Sequence, residues 1–256
     1  MKRILFFLLI LLPIPARPSD TTVVAPKIIH SKWYSHHEQI ERRVDIYVPE
    51  AEQPLPVLYL IHGINGYEGA WQERGNAVDT FAKMIAEGRC EPMLLVMPDC
   101  NKWPFKERPV QHGNKWKCVT HYGKLSREHE LEYAVSDLMD KIDTTFAVTN
   151  ECIIAGLSDG ARIAANVANT RPDKIRAVGL FSPVIYKGQL PKDSTQKFVI
   201  YVGKNDIFKA NGKRFHRRMT KAGMSHQYIE LKGGHTWRMW RNCLSDFVGN
   251  IIPQRN

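Results

Sequence analysis

The chain has 256 residues, of which 43% are apolar and 24% charged, with a formal net charge of +10. That length suffices for a full hydrophobic core in one or at most two domains, and the composition excludes a disordered chain and a disulfide-stapled miniprotein. The basic excess is spread over residues 101–129, with seven Lys/Arg against two Glu, and over residues 209–241, with nine Lys/Arg against one Glu. It reads either as a solvated basic face or as attraction to an anionic substrate, and no recognition motif accompanies it that would make nucleic acid a partner.

At the start, Lys2 and Arg3 precede nine uninterrupted apolar residues, 4–12, followed by Pro13, Pro15, Ala16 and Pro18. This is the layout of a secretory signal peptide over residues 1–19, with cleavage after Ala16 or a little later. Nine residues of helix reach only about 14 Å, roughly half the hydrocarbon thickness, so no stable membrane insertion is expected. The expected product is exported, periplasmic or secreted, with one catalytic domain over residues 22–253 and an oligomeric state left open.

In chain order, apolar β-branched runs at 44–48 and 55–61 read as strands, 77–87 as a helix and 93–97 as a strand. Residues 99–127 then carry little periodicity. Beyond them come a helix at 130–145, a strand at 152–157, a helix at 160–170, strands at 177–181 and 198–202, a helix at 212–223, a short strand at 228–231 and a helix at 240–251. Several strands are continuously apolar, as strands buried on both faces should be, and their alternation with helices argues an α/β fold with a mainly parallel sheet covered on both sides. The five cysteines form no paired C-x-x-C pattern, so a structural zinc is not expected, and the reading calls for no metal site or cofactor. In an oxidising compartment the bridge expected is Cys100–Cys118, because those residues flank the long irregular segment.

Gly156-Leu157-Ser158-Asp159-Gly160 fits G-x-S-x-G between an expected buried strand and an expected helix. In that setting the two glycines permit a tight turn that lifts the serine hydroxyl clear of the sheet. A neutral serine needs a base and an orienting acid, which in such a fold follow in the order Ser, Asp or Glu, His on loops beyond later strands. Asp206, in the Gly-Lys-Asn-Asp turn after 198–202, and His235, in Lys-Gly-Gly-His after 228–231, meet that order. An oxyanion hole is expected from the backbone N–H groups of Asp159 and of Ile64, the latter in the His62-Gly63-Ile64 loop after 55–61. His62 has two readings, loop packing or a second catalytic histidine. Trp103, Lys106 and Trp116 in the basic aromatic segment, with Trp237 beside the histidine, are the candidate substrate-binding side chains. That segment is either a binding loop or a surface insertion.

These residues resemble the esterase family of the α/β-hydrolase superfamily that takes in feruloyl and acetyl-xylan esterases, esterase D, enterochelin-type siderophore esterases and mycolyltransferases. Arg43-Val-Asp-Ile-Tyr-Val-Pro followed by Pro56-Val-Leu-Tyr-Leu-Ile-His-Gly is similar to the family's opening, Val96-Met-Pro-Asp to its middle strand, and Gly234-His-Thr-Trp-Arg-Met-Trp-Arg to its histidine motif. The resemblance spans roughly residues 40–250. It implies an α/β-hydrolase fold and a cofactor-free serine carboxylesterase with Ser158 as nucleophile, Asp206 as acid, His235 as base and Ile64 and Asp159 as oxyanion donors. The implied substrate is a small-molecule or polysaccharide ester, acetyl or feruloyl first, with a siderophore ester, an acyl transfer or a non-catalytic binding role as alternatives. Members commonly read G-x-S-M-G-G, whereas here Asp159 and Ala161 flank Gly160. A carboxylate beside the nucleophile would oppose an oxyanion if it faced inward, and would favour the start of the following helix if it faced away.

Overall fold

A computed structural model describes residues 27–51, 54–101, 110–112, 115–117, 131–185, 190–191 and 195–251, with 110–112, 115–117 and 251 described by their backbone alone. The elements in chain order are β1 (Lys27–Ser35), β2 (Ile40–Val48), β3 (Leu55–Ile61), α1 (Ala70–Glu73), α2 (Ala77–Ala86), β4 (Leu94–Pro98), β5 (Val110–His112) and β6 (Lys115–Lys117). They continue as α3 (Leu131–Thr145), β7 (Val148–Leu157), α4 (Asp159–Thr170), β8 (Ile175–Phe181), β9 (Lys197–Gly203), α5 (Lys209–Lys221), β10 (His226–Leu231) and α6 (Trp237–Asp246), which ends in a π-helical turn, Phe247–Ile251.

Among the described residues eight strands form one sheet in the order β1-β2-β4-β3-β7-β8-β9-β10, and β5 pairs separately with β6. β2 runs antiparallel to both of its neighbours, and every pair from β4 onward is parallel. This mostly parallel sheet with helices on both faces is the α/β-hydrolase fold. The period-two geometry of a strand explains why the apolar runs are continuous. In β3, Val57, Tyr59 and Ile61 enter the core beneath α3, α4 and α5, while Leu58 and Leu60 enter the opposite core beneath α2 and α6. β7 divides in the same way, Cys152 and Ile154 to the first core and Ile153, Ala155 and Leu157 to the second.

The elements depart from the sequence expectation mainly at edges. β1 lies at the rim of the sheet, and most of its side chains are exposed or half-buried; Trp33 is buried in the core, while Ile29 and Ile28 pack partly buried against the two cores. Its sequence carries no apolar alternation. Trp33 donates from its indole nitrogen to the Ala134 carbonyl of α3 at 3.1 Å, which fixes this rim strand to a covering helix. β2 begins four residues before the apolar run because β1 pairs with it along its full length.

Cys90, Cys100, Cys152 and Cys243 are buried free thiols. Cys100 therefore does not form the expected bridge, and Cys118 lies outside the described residues. Burial pushes the thiols of Cys90 and Cys152 up, to about 11 and about 12, which leaves them as small apolar side chains rather than nucleophiles. Among the described residues no group of three His, Cys, Asp or Glu could hold a metal ion, and no helix is long and apolar enough to cross a membrane.

Candidate active site

Parallel strands deliver their carboxyl ends to one edge of the sheet, and in an open α/β sheet that edge is where ligands bind. The loops that follow β3, β7, β8, β9 and β10 place Ile64, Ser158, Ser182, Asp206 and His235 there.

Ser158 is the single residue between β7 and α4 and takes φ 55° and ψ −118°. A non-glycine residue held in that region carries strain of about 1–3 kcal/mol, sustained only by its surroundings. Those surroundings are specific. The Ser158 amide donates to the Phe181 carbonyl at 2.8 Å, and its own carbonyl accepts from Val184 at 3.2 Å, so the end of β8 and the loop that follows it hold the turn from both sides. A Cβ at Gly160 would collide with the carbonyls of Ile61 and His62, and one at Gly63 would meet Leu157 Cδ1 at 2.7 Å. Glycine at both positions therefore lets the loop after β3 lie directly over the turn. Ala161, where the family's usual glycine is replaced, is fully buried, its methyl absorbed into the core.

The loops after β9 and β10 are tied together by two amides, Lys204 donating to Leu231 at 2.8 Å and Asn205 to Gly233 at 2.9 Å. That tie brings Asp206 beside His235. Asp206 Oδ1 accepts the Phe208 amide at 2.7 Å in a local turn, and His235 Nδ1 lies 3.1 and 3.2 Å from the two carboxylate oxygens. On its other side, His235 Nε2 lies 3.0 Å from Ser158 Oγ. Burial alone would raise the Asp206 pKa, but hydrogen bonds from His235, the Ser182 hydroxyl and the Phe208 amide outweigh it and hold the carboxyl below its usual range. The imidazole is fixed laterally by edge-on contacts with Phe208 and Trp240, each with a ring separation of 4.9 Å.

These groups open on a cleft of about 370 Å³ lined by Gly63, Ile64, Ser158, His235, Trp237 and Arg74, among others. The Ile64 and Asp159 amides make no backbone hydrogen bond among the described residues. Asp159 is the first residue of α4, where an N–H has no partner within the helix. Its carboxylate turns away from the cleft and takes a bidentate grip on Arg162, with Nε at 2.8 Å and Nη2 at 3.2 Å. Of the two orientations considered for it, the outward one is found.

His62 is buried below the loop, its Nδ1 donating to the Gly63 carbonyl at 2.7 Å and its Nε2 accepting the Cys100 amide at 2.9 Å. With both nitrogens spent on backbone, it packs the loop. Trp237 lies in the cleft wall, edge-on to Trp71 and Trp240 at 5.4 Å each, with the Arg74 guanidinium 5.3 Å above its ring. Of the other expected binding residues, Trp103 and Lys106 lie outside the described residues, and only the backbone of Trp116 is described, in β6. Arg74, Ser182 and Trp240 were not singled out from the sequence. Ser182 follows a parallel strand directly and so carried a positional signal; Arg74 comes from the end of a four-residue helix and carried none.

A family model described as "Putative esterase" matches residues 35–198. The endo-1,4-beta-xylanase/feruloyl esterase of Xylanibacter ruminicola is 24% identical over 257 residues, covering 93% of this chain and 34% of that protein, so the chain spans about a third of its relative's length. The ferulic acid esterase of Anaeromyces mucronatus, solved in complex with ferulic acid, has a TM-score of 0.70 at 21% identity over 93% of this chain and 95% of the other. The S-formylglutathione hydrolase of Staphylococcus aureus has a TM-score of 0.66 at 14% identity over 88% and 95%. With the family model covering well over half its length, the chain belongs to the esterase family.

Proposed function

We propose that the protein is an exported serine carboxylesterase in which Ser158 is the nucleophile, His235 the general base and Asp206 the orienting acid. The observation that carries this reading is the unbroken hydrogen-bonded chain from Asp206 through His235 to Ser158 Oγ, ending at the floor of an open cleft. The carboxylate holds the proton of His235 on Nδ1, which leaves Nε2 free to accept the serine proton. Ser158 Oγ then bonds to the ester carbonyl carbon, and the carbonyl oxygen takes the negative charge against the Ile64 and Asp159 amides. Collapse breaks the C–O bond of the ester, and the alcohol leaves with the proton from His235 Nε2. Water, deprotonated by the same nitrogen, adds to the acyl-enzyme and releases the acid, and the proton returns to Ser158.

The substrate proposed first is an acetyl or feruloyl ester of a polysaccharide, through the likeness to feruloyl esterases and the apolar leader at residues 4–12. A second reading, an anionic ester such as a siderophore, or acyl transfer to another alcohol, draws on Arg74 and Trp237, whose cation and ring face the same cleft. Export and a single esterase domain over 22–253 are part of the proposal. Turnover of a short p-nitrophenyl ester tests the enzyme against a binding protein of the same fold. A panel of acetylated xylan, methyl ferulate and a catecholate siderophore then separates the substrates, and no turnover of any of them would sink the proposal.

A further inference from the structure

Helix α5 carries six Lys/Arg and no acidic residue in its 13 positions. Phe215 and Met219 bury one side of it in the core, which leaves Lys213, Arg214, Arg217 and Lys221 exposed on the other. Lys213, Arg217 and Lys221 recur every four residues, and Arg214 lies one turn from Arg217. Like charges at that spacing repel and weaken a helix. The helices α2 and α4 carry no such load: Lys83 pairs with Glu87, and Arg162 with Asp159 at 2.8 Å. On α5, Lys209 is matched by Glu230 of β10 at 2.9 Å, whereas Lys213, Arg214, Arg217 and Lys221 make no ion pair among the described residues.

The topology ties these cations to the cleft. Because α5 connects β9 to its parallel neighbour β10, it starts at the edge of the sheet that holds Ser158 and descends for about 20 Å along the flank. At its top, the exposed Lys204 and Lys232 stand in the two loops that present Asp206 and His235, loops joined by the Lys204 and Asn205 amides. The result is a basic stripe from the rim of the cleft downward. A convex helix face with a cation about every 6 Å along its axis encloses no small anion, and instead fits an extended polymer with repeated anions. A lipid surface would call for apolar side chains beside the cations, but the exposed large apolar residues among those described, Tyr34, Ile64, Tyr133 and Ile207, all lie off α5.

We infer that this stripe docks a carboxylate-bearing polysaccharide, so that the ester presented to Ser158 belongs to an acidic, uronate-containing polymer; the inference rests on the polysaccharide reading proposed above. Each contact is an exposed ion pair and weak alone, but a polymer engages several at once and is held with its esters near the cleft. Contacts so far from the reacting bonds act equally on bound substrate and transition state, so they lower KM and leave kcat as it is.

The test compares wild type with the triple variant Lys213→Gln, Arg217→Gln, Lys221→Gln, which keeps good helix formers and removes three charges. Circular dichroism and turnover of p-nitrophenyl acetate should be those of the wild type. In low salt, polygalacturonate should bind the variant about ten-fold more weakly, and about 0.5 M sodium chloride should erase the difference. On acetylated glucuronoxylan the variant's KM should rise by a similar factor with kcat unchanged. Once the uronic acids of that polymer are reduced to neutral sugars, the two proteins should act alike. Equal binding of polygalacturonate by both proteins, or the same rise in KM on the reduced polymer, overturns the inference. So does tighter binding of the wild type to duplex DNA or to phosphatidylglycerol vesicles than to polygalacturonate. A wild type that deacetylates neither polymer fails the polysaccharide reading instead, and polygalacturonate binding still decides whether the stripe holds a polyanion.

Discussion

Two buried polar networks lie on opposite sides of the loop after β3, and they differ in whether they end in the open. In the first, Arg42 of β2 grips Glu38 through Nε and through Nη2 at 2.7 Å, and spends Nη1 on the Asp99 and Asn101 carbonyls at 3.2 and 2.9 Å. Both side chains are enclosed, at 0% and 2% exposure, and every atom faces protein. In the second, the Asp206 side chain is enclosed at 0% while His235 retains 17%. That network passes from a carboxylate through an imidazole to a hydroxyl at a cleft. The closed network neutralises charge and pins the chain leaving β4. The open one leaves a proton acceptor at the protein's surface, which catalysis by proton transfer requires.

Breaking the open network should have the largest effect. Ser158→Ala and His235→Ala should each lower kcat by about 10⁴- to 10⁶-fold while circular dichroism stays that of the wild type, and the double variant should be scarcely slower than Ser158→Ala alone. A double variant that multiplied the two losses would show that the residues do not act together.

Breaking the closed network should produce the reverse pattern. Arg42→Met leaves Glu38 buried without its cation and should cost about 3–5 kcal/mol of stability in chemical denaturation, with turnover per folded molecule unchanged. Removing both charges, as Glu38→Gln with Arg42→Met, should recover most of that loss. If Arg42→Met slowed kcat without lowering stability, the separation of the two networks would fail.

A smaller effect depends on pH. The Asp206 carboxyl is held below its ordinary value of 3.8. Its folded pKa lies under its unfolded one, so the ionised form stabilises the fold above about pH 4, and that contribution fades as pH falls through the depressed value. Thermal melts of wild type against Asp206→Asn should show a gap at neutral pH that narrows in acid, whereas a gap independent of pH would assign the difference to packing.

The smallest change belongs to Asp159, whose carboxylate is paired with Arg162 at 2.8 Å on a partly exposed face. Asp159→Met should cost under about 1 kcal/mol and leave kcat unchanged from wild type at every pH. A gain in kcat that grew with pH would place the charge at the oxyanion site after all.

The sequence was most legible where one local rule decides the outcome. The strands whose residues are buried on both faces, such as β3 and β7, declared themselves as continuous apolar runs. The G-x-S-x-G turn was readable because steric demand falls on Gly160 and Ser158 themselves. β1 was hidden because a rim strand has little surface to bury, and Lys27, His30 and Lys32 interrupt any alternation. Ser182 and Arg74 were hidden for another reason. Their placement follows from which strands end side by side, and strand order is a tertiary fact that no local pattern carries. Trp237 was legible through its place beside His235, but its edge-on partner Trp71 is separated from it by most of the chain.

In the proposed reaction Ser158 carries the acyl group. Intact-mass spectrometry of protein mixed with p-nitrophenyl acetate and quenched in acid, followed by peptide mapping, tests it directly. The predicted result is one acetyl group per chain, located on Ser158 and absent from Ser158→Ala. An adduct on another residue, or one that persists in Ser158→Ala, would contradict it.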